Sequence, residues 1–482
     1  LNLVFTSLFL IVLGYTTYIT VLQRSGVQNL PLDENNPDNM ERLLSYLNRE
    51  QYGDQPLVLP RRYSQEPQHW KTWQNYTSDM DFMWKYQINE MFNRYLFWQY
   101  IGRAGYEQGD GVDFSKLFAI PFILGLIGVF HHFRRDWKLA MVFLLMFVLM
   151  GVVTALYQNQ QDPQPRERDY FYIGAFFAFS LWISLGIVAL IELLTEMRKK
   201  ELGIGLASVV MGLAFVFVPL NMLKVSYPFQ TRQENFFPYD YAYNILQSCE
   251  KDAILITNGD NDTFPLWCLQ AAYGVRQDIR IINLSLAQTD WYNLQLKNEK
   301  PYGSMTVPMT FTDAQLSNPD FVRPREWDEK KIQVLDVPSE VYPDTMQVKP
   351  EKIVFSVPAT IRQKSGNRTI TGIKFNDILL LDIIKANKWK RPIYFSATVS
   401  PENFVGLGDY LILEGMAHKL LPYKVGNGMD VPVNKEITNK ALFEPPAVPS
   451  QTPQYGFLFR SLNHKNLFFD ETQQRMIEMY RT

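Results

Sequence analysis

Cysteine and histidine are scarce in this sequence. Its 482 residues hold two cysteines, Cys249 and Cys268, and five scattered histidines, His69, His131, His132, His418 and His464. Zinc sites need Cys and His at short, fixed spacings, and none occurs here. The two thiols leave two readings: a disulfide in an oxidising compartment, or, the favoured one, two unpaired small side chains. An excess of one charge is also missing. Lys and Arg number 47 against 49 Asp and Glu, a net charge of -2. With no basic patch interleaved with aromatics, this excludes a nucleic-acid partner. There is no Gly-rich phosphate loop, no serine nucleophile elbow and no Cys-His pair. The apolar segments carry no chain of mid-membrane acids, since Glu192 falls near an end. A transporter is therefore weakly supported.

Long apolar runs are what the sequence does have. A helix needs about 20 such residues to cross a bilayer. Five segments fit: Asn2 to Leu22, Phe114 to Phe130 (extendable through His131 and His132), Leu139 to Tyr157, Tyr170 to Leu194 and Leu202 to Leu223. The first has no charged flank or small-residue cleavage site and reads as a span, not a signal peptide. The connectors His131 to Lys138 and Arg198-Lys199-Lys200 are basic. By the positive-inside rule both face the cytoplasm. The amino end is then inside, and the loops Gln23 to Asp113 and Gln158 to Asp169 are outside with everything after Lys224. In a bacterium this predicts a multi-pass inner-membrane protein with a periplasmic domain.

The first outer loop is too long for a mere connector. Asp38 or Asn39 is placed to cap a helix through Met40, Leu43, Leu44 and Leu47. Arg61-Arg62-Tyr63 follows a break bounded by prolines. Phe82 to Ile101 is amphipathic and heavily aromatic, so it lies along the membrane interface or packs against the spans.

After Tyr227-Pro228 the pattern changes. A helix over Asp240 to Gln247 precedes a buried strand, Ala253 to Thr257, then the turn Asn258 to Thr263, the helix Phe264 to Tyr273 and the strand Ile279 to Leu286. A helix at Phe375 to Lys388 and a strand at Pro392 to Thr398 repeat the passage. The fold class expected is an α-helical membrane region of about five spans (1–223, outer loop 23–113) and a soluble α/β domain (224–482) with a mostly parallel sheet. Pro301 to Thr369 reads as an irregular or hairpin insertion. Glu471 to Thr482 reads as a helix continuing past the end, as in a piece of a longer polypeptide.

Ligands of open α/β sheets bind at the carboxyl ends of strands. That position belongs to Asn258, Asp260, Asn261 and Asp262, with Asn283 and Asp290 after the next strand. Acids there, Asp260 and Asp262 above all, can hold a hard divalent cation. The same residue types also serve a strand-to-helix turn and its cap. At the start of the fourth span, Arg166, Glu167, Arg168 and Asp169 crowd the outer membrane surface. Arg forks bind phosphate bidentately, so Arg166 and Arg168 are placed for a lipid-linked phosphate headgroup. A salt-bridged cap such as Arg166 with Asp169 is the structural alternative.

Four segments, Glu41 to Asp54, Gln164 to Tyr172 (QPRERDYFY), Thr257 to Pro265 (TNGDNDTFP) and Asn283 to Tyr292 (NLSLAQTDWY), together resemble one family. It is a bacterial family of multi-span proteins of unknown function, related to the eukaryotic transmembrane protein O-mannosyltransferases and so to GT-C glycosyltransferases. The resemblance implies transfer of a sugar from a polyprenyl-phosphate carrier to a protein or glycan acceptor on the outer face. It also implies a catalytic acid in the first outer loop, within a Trp-Asp-Cys-Gly-Glu-Phe-like motif. This sequence lacks that motif. Asp33 and Glu34 are the acids that follow a span, and the expectation is that the catalytic half precedes Leu1. The competing expectation is a non-catalytic scaffold that joins other membrane subunits in an envelope complex.

Overall fold

The computed structural model describes residues 2–48, 50, 61, 72, 74–105, 109–164, 166–198, 204–233, 235–365, 368–426, 431–445 and 456–460. Arg62-Tyr63, Gln51 to Asp54, Lys199-Lys200 and Glu471 to Thr482 lie outside the described residues. The chain divides into two compact units. A helical unit is built from Asp54–Glu234, and a sheet unit joins Leu1–Gly53 to Asn235–His464.

Four helices among the described residues are long and apolar enough to cross a membrane: Asn2–Ser25, Trp137–Gln158, Asp169–Met197 and Gly205–Pro228. The first belongs to the sheet unit and the other three to the helical unit. Five spans were expected, and the segment from Phe114 is the one that differs. After a single turn, Phe114–Leu117, the backbone goes left-handed at Phe118 (φ 54°) and Ala119 (φ 53°). Helix resumes only at Ile120–Arg135, with Pro121 in its first turn, where its missing N–H costs nothing. Sixteen residues rise roughly 24 Å, short of the roughly 30 Å hydrocarbon core.

That short helix is gripped by Ile173–Arg198 through small residues. A Cβ on Gly128 would stand 1.8 Å from the Trp182 carbonyl oxygen, and one on Gly186 would stand 2.0 Å from that of Leu124. Backbones this close need glycine, the usual device of membrane helix pairs. We expect Gly128→Ala to lower the thermal midpoint in detergent by several degrees. Gly212→Ala, where a methyl meets open space, should not lower it. Equal midpoints for the two variants would contradict this packing.

The aromatic segment packs against the spans. Helix runs through Asp79–Phe82, Met83–Asn93 (wound in wider π turns) and Arg94–Tyr100. Phe82, Tyr86, Phe92, Tyr95, Trp98 and Tyr100 are buried. Phe92 meets Tyr172 at 5.4 Å and Phe147 at 5.8 Å between ring centres, and Tyr100 meets Phe179 at 4.7 Å. Offset and edge-on aromatic contacts of this kind add about 0.5–1.5 kcal/mol each beyond burial. His131 and His132 fall in the last turn of Ile120–Arg135, and His132 is buried, accepting from Trp182 Nε1 at 3.2 Å.

In the sheet unit, the helix expected after Asn39 forms at Met40–Asn48, with Asn39 Oδ1 accepting from the Arg42 N–H at 3.0 Å. The main sheet has five strands, β1 (Ile254–Thr257), β2 (Arg280–Asn283), β8 (Ile393–Ser396), β9 (Leu411–Glu414) and β10 (Ala417–Leu420). Their order across the sheet is β2-β1-β8-β10-β9. β1 runs parallel to β2 and β8, joined by the helices Asp260–Tyr273 and Phe375–Asn387. The hairpin β9–β10 is antiparallel to β8, so the sheet is mixed where a mostly parallel one was expected. Short connections explain it: Gly415, at φ 64°, makes the two-residue turn that only an antiparallel pair permits. The insertion forms a hairpin, β4 (Ile332–Asp336) with β5 (Lys352–Ser356), and a small sheet of β3 (Arg325–Glu326), β7 (Arg368–Ile373) and β6 (Ile361–Ser365). The central strands are buried on both faces, as parallel sheets require.

Candidate functional site

A cleft of about 330 Å³ opens in the helical unit where the helix 79–100 meets the loop 158–168. The helix supplies Lys85, Glu90, Arg94 and Tyr95; the loop supplies Asp162, Arg166 and Glu167. Glu90 and Arg94 share a face because residues four apart on a helix are neighbours, and Arg94 Nε lies 2.8 Å from Glu90 Oε1. Arg94 then closes a fork on Glu167, donating from Nη1 to Oε1 at 3.1 Å and from Nη2 to Oε2 at 2.9 Å. Glu167 also accepts from the Tyr95 hydroxyl and, at 2.8 Å, from the Gly109 N–H. Burial alone would raise this carboxyl, but the bonds from Arg94, Tyr95 and Gly109 hold it below its ordinary value.

Glu90 has the opposite balance. Burial raises its carboxyl, and Glu167 and Asp162 reinforce the rise against the opposing Arg94. It is a carboxylate whose affinity for a proton is enhanced, which suits a proton acceptor. Arg166 stands exposed at the rim and makes no hydrogen bond or ion pair among the described residues. Lys85 is tied to Asp81 at 2.9 Å, and Asp162 accepts from the Tyr76 hydroxyl at 2.5 Å.

Of the four clustered charges expected at this surface, Arg166 and Glu167 line the cleft. Arg168 turns to Gln164 (3.3 Å) and the Tyr170 hydroxyl (3.1 Å) and lies over the Phe171 ring. Asp169 starts the short 3-10 turn Asp169–Tyr172. The ion pair that anchors the loop is Glu167 with Arg94, 73 residues away, in place of Arg166 with Asp169. Glu90 and Arg94 were missed in the sequence. Their signal was two charges four apart inside an aromatic segment, but nothing local links them to Glu167.

In the sheet unit, Asn258, Asp260 and Asn261 stand exposed at the carboxyl end of β1. Ser285 Oγ donates to the Asn258 carbonyl at 3.2 Å, so the loops after β1 and β2 do come together. Asn283 caps its own turn, accepting from the N–H groups of Ser285 and Leu286. Asp290 opens the helix Asp290–Asn298, where an acid suits the helix dipole. Asp262 is buried. It accepts from the hydroxyls of Tyr241 and Ser396, each at 3.2 Å, and from the Asn258 N–H at 3.0 Å. Its oxygens are engaged within the fold. Among the described residues no group of three His, Cys, Asp or Glu side chains converges as a cation site would need.

Asp33 and Glu34 line a second cleft, about 780 Å³, with Arg24 and the Phe264 and Trp267 face of the helix Asp260–Tyr273. Asp33 accepts from the Ser25 hydroxyl at 2.7 Å, its N–H donates to Gln295, and burial raises its carboxyl. Both thiols are free, Cys249 buried and Cys268 exposed.

No curated protein and no solved structure matches the chain. Residues 238–349 and 330–437, both within the sheet unit, match the family model of TMEM260-associated domain 2.

Proposed function

We propose that this chain is a membrane glycosyltransferase, or the carboxy-terminal part of one, that moves a sugar from a polyprenyl-phosphate carrier to a protein or glycan acceptor. The observation that carries the reading is Arg166, a guanidinium with no partner among the described residues, at the mouth of a cleft that also holds the half-buried Glu90. Arg166 binds the carrier phosphate. The acceptor hydroxyl oxygen attacks the anomeric carbon and the bond from that carbon to the phosphate oxygen breaks. The phosphate leaves with the electron pair, and the hydroxyl proton passes to the Glu90 carboxylate. Arg94, fixed between Glu90 and Glu167, keeps the proton acceptor in place. The fifth crossing runs from the turn Phe114–Leu117 through the helix Ile120–Arg135, in a bacterial inner membrane with the soluble domain after Lys224 in the periplasm. The match to TMEM260-associated domain 2 supports the reading at the level of family.

The test is sugar release from a polyprenyl-phosphate sugar by protein in lipid vesicles. A charge-assisted hydrogen bond to phosphate contributes about 1.5–3 kcal/mol. Arg166→Glu adds repulsion, so transfer should fall at least roughly 100-fold. Its thermal midpoint should not move, because the exposed side chain bonds to nothing among the described residues. Wild-type transfer by Arg166→Glu would end the proposal. If the variant instead lost co-purifying membrane subunits, the scaffold reading would replace it.

A further inference from the structure

The first apolar helix ends in a polar cleft. Asn2–Ser25 is 24 residues long and rises roughly 36 Å, more than the roughly 30 Å hydrocarbon core. Its last turn, which carries Arg24, therefore stands at the level of lipid headgroups. There the cleft of about 780 Å³ opens, walled by the last turns of that helix, the loop around Asp33 and the helix Asp260–Tyr273. No residue of Asn2–Tyr15 is buried, so the sides of the helix are open to lipid up to the cleft.

The groups in this cleft are within reach of a ligand and are not used by the fold. Arg24 and Glu34 are exposed, and neither makes a hydrogen bond or ion pair among the described residues. They share the cleft without pairing with each other. The Tyr46 hydroxyl makes no hydrogen bond among the described residues either. Phe264 is 45% exposed and stacks on Trp267 with 5.5 Å between ring centres, which leaves an aromatic surface in the cleft. The other acid, Asp33, accepts from Ser25, and burial raises its carboxyl and weakens its hold on negative charge. Beside it, Arg42 and Asp38 pair with each other at 3.2 Å. One cation and one anion are thus left uncompensated in a single cleft, next to an exposed ring.

We propose that this cleft holds the headgroup of a zwitterionic aminophospholipid, its phosphate on Arg24 and its ammonium between the Glu34 carboxylate and the Phe264 ring. A guanidinium fork suits phosphate, and an ammonium is held both by a carboxylate and by an aromatic face. An anionic headgroup would set its extra charge against Glu34 and Asp33. A simple cation would leave Arg24 facing a like charge. A choline headgroup has no N–H to donate to the carboxylate. The lipid is the source because the cleft opens at the end of a membrane-length helix, where its acyl chains continue along Asn2–Tyr15. The proposal uses Asn2–Ser25 as a span and stands whether or not Arg166 serves a lipid carrier.

The full chain in detergent would be mixed with equal amounts of phosphatidylethanolamine, phosphatidylcholine and phosphatidylglycerol, and the retained lipid counted by native mass spectrometry. One phosphatidylethanolamine should be retained at least roughly fivefold more than either of the others. Arg24→Gln should lower that retention at least roughly fivefold, the loss of one charge-assisted contact. Glu34→Gln should remove the preference, leaving phosphatidylethanolamine and phosphatidylglycerol retained alike. Both positions are exposed, so thermal midpoints should match the wild type. Arg166→Glu should retain the lipid as the wild type does, which separates this site from the transferase cleft. The proposal is overturned if the wild type retains the three lipids equally, if both cleft variants keep the wild-type preference, if Arg166→Glu alone loses the lipid, or if soluble phosphoethanolamine at equal concentration displaces it.

Discussion

Replacing Glu167 with alanine should cost the helical unit about 3–5 kcal/mol, the penalty for leaving one member of a buried pair uncompensated. The Arg94 side chain is 10% exposed and that of Glu167 16%, so solvent cannot substitute for the lost carboxylate. The Tyr95 hydroxyl and the Gly109 N–H lose their acceptor at the same time. In a unit of this size the thermal midpoint should fall by roughly 10 °C. Arg94→Ala should behave alike, and the double variant should lose far less than the sum, because the two effects are one interaction. Additive losses would refute the coupling.

The same pair sets an acid limit. Folding lowers the Glu167 carboxyl below its ordinary value. The unfolded chain therefore binds the proton more readily, and the stabilisation present above the unfolded value is lost as pH falls through the folded one. Thermal midpoints measured from pH 7 downward should drop below about pH 4.5 in the wild type, and less steeply in Glu167→Gln. A parallel fall in both would assign the acid limit to other carboxylates.

The second large effect is expected at Arg276, which is fully buried. Its guanidinium donates to the carbonyls of Leu246, Cys249 and Glu250 and bonds Asp278 from both Nε and Nη2 at 2.9 Å. It thereby joins the end of the helix Phe237–Ser248 to the turn that enters β2. Arg276→Met fills similar space but removes five hydrogen bonds at once and leaves Asp278 without its cation, again about 3–5 kcal/mol. Arg276→Lys should recover only part, since an ammonium has three donors where the guanidinium has five. Denaturant unfolding of the sheet unit followed by tryptophan fluorescence measures both. An unchanged midpoint in Arg276→Met would contradict the role given to this residue.

Local signals were readable in this sequence wherever local forces decide. The strands around Ile256, Ile282 and Phe395 are short apolar runs bounded by turn residues, and they form parallel neighbours. Asn39 before Met40 marked a helix start that its side chain does cap. Four of the five apolar runs became helices long enough to span. The fifth is interrupted by left-handed backbone at Phe118 and Ala119, a break that its run of apolar residues did not signal.

The candidate site divides along the same line. That charges would gather at Arg166 to Asp169 was legible, since four charged residues cannot sit in hydrocarbon at low cost. Which of them faces the cleft was not. A one-residue step in a loop turns Arg168 to Tyr170 and Glu167 to Arg94, and the choice depends on a partner helix 73 residues away in sequence. Asp262 shows the same dependence on distant partners. As an acid in a strand-to-helix turn it looked available to a ligand, yet Tyr241 and Ser396 arrive from distant elements to hold it inside.

By itself, the sequence determined the membrane-associated character, the order of helices and strands, and the residue types at each strand end, because apolar runs, periodicity and turn chemistry act over a few residues. Only the tertiary structure decided the mixed sheet, the pairing of Glu167 with Arg94 and the exposure of Arg166. Each of these is set by what packs against a side chain, and packing partners here lie tens to hundreds of residues apart.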